Sequence, residues 1–128
     1  MQQRLKAVEE ATAALRSSRL PSWLRIAQTL LEKGRDPVDT AVAARWSEDE
    51  TEDWGVLVCR DGVIIEFGVK PRRDAPTRTT AASDVAITGW VEHGPDSPLP
   101  ADLEIFRMDI EAATLYLHAP RRRERPFS

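Results

Sequence analysis

Residues 54–68 read WGVLVCRDGVIIEFG, and the way this stretch folds decides the rest of the chain. Two runs rich in β-branched and aromatic residues flank Arg60, Asp61 and Gly62. Asp-Gly between two such runs is a strong hairpin signal. With Asp61 and Gly62 as the central pair of a type I′ turn, Cys59 falls opposite Ile64, Val58 opposite Ile65 and Val56 opposite Phe67. One face then carries Trp54, Val56, Val58, Val63, Ile65, Phe67 and Val69.

The segment before it, RDPVDTAVAARW at residues 35–46, reads two ways. Asp36, Pro37 and Asp39 make a good helix start, whereas Val42, Ala44 and Trp46 alternate as in a strand. Folding 41–47 back across the acidic turn sets Trp46 against Trp54, Ala44 against Val56 and Val42 against Val58, all on the same apolar face. A one-residue slip destroys that agreement, so a three-stranded antiparallel meander is expected. SDVAITGWVEHG, residues 83–94, alternates Val85, Ile87, Gly89 and Val91 and adds a fourth strand.

Helices are expected at both ends. Leu5, Val8, Thr12 and Leu15 recur at helical spacing among alanines. After a short connection, Pro21 and Ser22 open a second helix with Trp23, Ile26, Ala27, Leu30 and Leu31 on its apolar side, closed by Lys33 and Gly34. Beyond the stiff linker PDSPLP, residues 95–100, the last helix carries two stripes roughly 200° apart. Leu103, Phe106, Ile110, Ala113 and Leu117 form one; Ile105, Met108, Ala112 and Leu115 form the other. The first stripe suits the sheet, and the second must meet the N-terminal helices or a second subunit, which makes it a candidate homodimer face.

The expected fold is therefore α+β, a single domain over residues 1–120. It comprises an N-terminal helical hairpin, a three- to four-stranded antiparallel meander and a C-terminal helix packed on the sheet, with the helices on one side of it. Residues 121–128 form a basic tail expected to be flexible. At 128 residues with 41% hydrophobic and 30% charged side chains, such a chain buries enough surface to fold without disulfides or metal.

Composition excludes several function classes. One cysteine forbids an internal disulfide, and His93 and His118 have no metal-ligand spacing to it or to each other, so neither metal nor cofactor is expected. The first eighteen residues lack the continuous apolar core of a signal peptide or membrane span, which leads to a cytoplasmic expectation with no membrane partner. Phosphate-cradling glycine motifs and a nucleophile elbow are absent from the sequence, and no catalytic residue is assigned.

The net charge of −3 is segregated: net +4 over residues 1–35 and net −7 over 36–66. The densest block is the turn carrying Glu48, Asp49, Glu50, Glu52 and Asp53, flanked by Trp46 and Trp54. It lacks the glycine and remote glutamate of a calcium loop. Its reading is either a solvated hairpin tip or a contact for a basic protein, with tryptophans of the kind that anchor interfaces. Cys59, with no base nearby, reads as a structural cysteine. Glu66 interrupts the apolar run VIIEFGV and would share a face with Arg45 and Cys59, so Arg45, Glu66 and Cys59 mark a possible ligand face. Bare glycines at 55 and 68 would leave a shallow groove there.

Three functions follow as expectations. The first is a non-catalytic protein-binding domain, of adaptor or toxin-neutralising immunity type. The second is small-ligand binding or enzymatic chemistry on the Glu66 face. The third is a winged-helix DNA binder using 37–46 as recognition helix; a pI of 5.4 and a single arginine on that helix, Arg45, argue against nucleic acid.

Overall fold

The computed structural model describes residues 2–17, 20–48, 52–73, 81–99, 101–104, 111, 113–115 and 117. In order these form α1 (Gln2–Ser17), α2 (Pro21–Glu32), β1 (Thr40–Glu48), β2 (Glu52–Cys59), β3 (Ile64–Pro71), β4 (Val85–His93) and α3 (Ala101–Glu104). The class is α+β, and the four strands make one antiparallel sheet in the order β1-β2-β3-β4.

Residues 37–46 resolve as a strand preceded by one 3-10 turn. Asp36 caps that turn, its Oδ1 accepting the Val38 N–H at 2.9 Å, and the helical start signal is spent on Pro37–Asp39 before β1 begins. The recognition helix of the winged-helix reading is thus replaced by β1. Trp46 pairs with Trp54 and Ala44 with Val56, as expected, but Val42 pairs with Leu57 instead of Val58 because the register shifts between Val42 and Ala44.

At that shift a partner comes from outside the sheet. Thr12, fully buried in α1, takes the Val42 N–H on its Oγ1 at 2.9 Å. Arg16, one turn further, donates to the carbonyls of Pro37 and Val38 at 3.2 and 2.7 Å. Helix α1 therefore packs along the outer edge strand β1 and satisfies backbone groups that an edge would leave open.

The β2–β3 turn also differs from expectation. Gly62 N–H bonds to the Cys59 carbonyl and Cys59 N–H to the Val63 carbonyl, both at 2.9 Å, with Gly62 alone at φ +90°. This is a three-residue loop ending in a left-handed glycine, not a two-residue turn. Two tethers hold the extra residue in the loop: Arg60 N–H to the Asp39 carbonyl at 2.9 Å and Arg35 to Asp61. Val58 now pairs with Ile64, Leu57 with Ile65, Val56 with Glu66 and Gly55 with Phe67.

The single apolar face becomes two. Leu57, Cys59, Val63, Ile65, Phe67 and Val69 pack with Trp23, Ile26 and Leu30 of α2 and with Leu15. Val56 and Val58 pack on the other side with Val8, Leu103, Ala113 and Leu117. The expected first stripe of the C-terminal segment does meet the sheet, at Leu103, Ala113 and Leu117, but on the face opposite α2. Helices therefore lie on both sides of the sheet. Leu31, expected in the core, is 60% exposed, and Thr29 is buried in its place. Helix α2 ends as expected, with Gly34 at φ +79°. Its N–H reaches Leu31 and that of Arg35 reaches Leu30, at 3.0 and 2.8 Å, which is a Schellman cap.

Candidate functional site

Among the described residues, three places gather chemistry-bearing residues. The first is a cleft of about 200 Å³ where the α2 cap, the turn before β1 and the β2–β3 loop meet. Arg35, Asp36, Asp39, Cys59, Arg60 and Asp61 line it with Gly34 and Thr40. Arg35 is held by Asp61 at 3.1 Å and Glu92 at 3.2 Å, and Arg60 by Asp39 at 3.1 Å. Burial works to raise the Asp61 carboxyl, but the Val63 N–H and the Arg35 guanidinium outweigh it and hold Asp61 below the ordinary carboxylate range. Burial likewise works to lower Arg35, and its bond to Asp61 overrides that to raise it.

Cys59 sits in this cleft, 3% exposed. Burial raises its thiol, outweighing the opposing pull of Arg35 and Thr40. A thiol raised in this way is protonated at neutral pH and a poor nucleophile. The cleft falls below the roughly 300–1,000 Å³ of a typical small-molecule pocket, and its arginines already hold carboxylates.

The second place is on the opposite face of the sheet. Glu66 Oε2 lies 2.6 Å from His93 Nε2, the two side chains 30% and 15% exposed. Arg45, expected on the same face as Glu66, lies on the other face of the sheet. It makes an ion pair with Asp53 at 3.4 Å and stacks over the Trp23 ring at 5.2 Å. The one-residue change in register separates them: Arg45 and Cys59 face α2, and Glu66 faces away. The structure does not bring Arg45, Glu66 and Cys59 together. Nor are the glycines bare. The Phe67 ring lies across Gly55 on one face, and the Trp54 ring across Gly68 on the other, so aromatic side chains fill the expected groove.

The third place is the acidic β1–β2 hairpin. Glu48 pairs with Glu52, Ser47 with Asp53 and Trp46 with Trp54. Opposed like charges in an antiparallel pair are destabilising. Trp54 is half-buried, and its Nε1–H is buried with no hydrogen-bond acceptor among the described residues, which is costly for an indole. Asp49 and Glu50 lie outside the described residues, as do Ile105, Met108 and Ala112 of the expected dimer face and the tail 121–128. The fourth residue of that face, Leu115, is 64% exposed.

Sequence reading missed Arg35, Glu92 and His93. None stands in a motif, and each acquires its partner only through the sheet register or the α2 cap. Among the described residues no group of three or more His, Cys, Asp or Glu gathers to hold a metal ion, and no helix is long and apolar enough to cross a membrane.

No protein-family model, curated protein or solved structure matches the chain.

Proposed function

We propose that this chain is a non-catalytic protein-binding domain, of adaptor or immunity type, that docks a basic partner through its acidic β1–β2 hairpin. One observation carries the reading: Glu48 and Glu52 stand directly opposite each other in register, with Asp49 and Glu50 beside them in sequence. Glutamates at partner positions concentrate negative charge at the hairpin end, and a cationic surface would neutralise it. Among the described residues, Arg45 pairs with Asp53. The half-buried Trp54 beside the charges supplies the kind of aromatic anchor found at the centre of interfaces.

The test is affinity capture from the source cells with the parent and with Glu48→Lys/Glu52→Lys, both verified as folded. A basic protein held by the parent and lost with the double variant supports the reading. Capture of the same proteins by both removes the hairpin from the interface.

A second reading rests on the Glu66–His93 pair. A half-buried imidazole held by a carboxylate is an arrangement used in acid–base chemistry and polar ligand binding. If this face binds small molecules, a fragment screen by NMR shifts the His93 ring resonances in the parent and not in Glu66→Gln. A screen that leaves those resonances still disposes of it.

A further inference from the structure

We infer that the outward side of α2 is a docking surface for a second copy of this chain, lying antiparallel along it. Leu20, Leu24, Gln28 and Leu31 follow at i, i+4, i+8 and i+11, which stacks them along one side of the helix. Trp23, Ile26, Thr29 and Leu30 are the buried side. Leu20 is 62% exposed and Leu31 60%, with Leu24 half-buried and Gln28 exposed. Single exposed leucines are ordinary on a protein surface, but a row along one helix side calls for a cover.

Charge identifies the occupant. Arg25 and Glu32 lie on one flank of this row, 3.9 Å apart at their nearest atoms, the first toward the helix start and the second at its end. A two-fold axis through Gln28 runs a second α2 antiparallel and keeps the charged flanks of the two helices on the same side. Leu24 then comes within one residue, a rise of about 1.5 Å, of the level of the second copy's Leu31. Arg25 comes equally close to the level of the second copy's Glu32. Because the contact is isologous, each pairing occurs twice. A parallel two-fold arrangement puts the two charged flanks on opposite sides of the contact, where Arg25 and Glu32 meet no opposite charge of the second copy, so these residues favour the antiparallel one. At twelve residues, α2 offers only about 18 Å of length, which suits a concentration-dependent dimer. This surface is separate from the acidic hairpin, and neither proposal depends on the other.

The test is sedimentation equilibrium of the full chain over rising concentration. The parent is expected to dimerise, and Leu31→Lys, at an exposed position, to remain monomeric with an unchanged melting temperature. Arg25→Glu alone and Glu32→Arg alone should each dimerise about tenfold more weakly. An equal mixture of those two variants should recover association, because only the mixed dimer sets opposite charges across both contacts. A parent that stays monomeric to roughly 1 mM overturns the proposal. So does Leu31→Lys that dimerises as the parent does, or a mixture no tighter than its components.

Discussion

Thr12 in α1 accepts the backbone N–H of Val42 at 2.9 Å, at a site closed to solvent. This one bond ties the first helix to the edge strand at the irregularity in its pairing. Thr12→Val keeps the shape and removes the acceptor, leaving a buried donor unpaired. It should cost about 1–3 kcal/mol in chemical unfolding and accelerate amide exchange at Val42. Thr12→Ser, which keeps the hydroxyl, should recover most of the loss. Equal stability of the Val variant would show that the bond does not hold the edge.

The three sheet glycines should respond to alanine in a fixed order. A Cβ on Gly55 meets the Phe67 ring and comes within 2.6 Å of the Ala44 carbonyl, which is backbone and cannot swing aside. A Cβ on Gly68 comes 2.6 Å from Thr88 Oγ1 and 2.9 Å from the Trp54 ring, both of which can shift. At Gly89 the nearest atom is 3.5 Å away. Gly55→Ala should therefore lose the most, about 2–3 kcal/mol or more, Gly68→Ala about 1–2, and Gly89→Ala under about 1. Unfolding midpoints in urea check the order.

What the sequence disclosed, and what it withheld, follows from these same residues. The strands, both N-terminal helices and the Trp46–Trp54 pairing were legible because alternation, helical spacing and turn residues are local signals. The β2–β3 register was not. Hydrophobic alternation fixes register when one face of a sheet is wet, since a slip then exposes apolar side chains. Here both faces are covered, so Ile64 and Ile65 are each acceptable on either side. The deciding tethers, Arg35 to Asp61 and Arg60 to Asp39, span more than twenty residues. Glu66 stands out in the sequence as a polar group in an apolar run. Its partner His93 could not be named without knowing which strand lay beside it.

Asp61 makes acid stability testable. Its carboxyl is held below the ordinary range in the folded protein, so its contribution is fully present above about pH 3.9. That contribution is lost as pH falls through the lower folded value. An NMR titration should place the Asp61 midpoint below that of an ordinary aspartate. Asp61→Asn should cost under about 1 kcal/mol at neutral pH, because the carboxylate is well exposed, and should flatten the loss of stability below pH 4. A midpoint at or above the ordinary value would contradict the Arg35 and Val63 contacts.

Cys59 should be inert in the native state. Burial and a raised thiol predict little iodoacetamide labelling at pH 8 in the folded protein and rapid labelling in urea, read by intact mass. Fast native labelling would mean that the cleft opens.

The acidic hairpin is the central claim, and the most direct measurement is the affinity of the captured basic partner for the parent and for Glu48→Lys/Glu52→Lys, titrated calorimetrically at low and high salt. The account predicts binding weakened at least tenfold in the double variant, with a shallower salt dependence. It also predicts a hairpin about as stable as the parent's, since the two lysines oppose each other as the two glutamates did. Unchanged affinity and unchanged salt dependence in a folded double variant would contradict it.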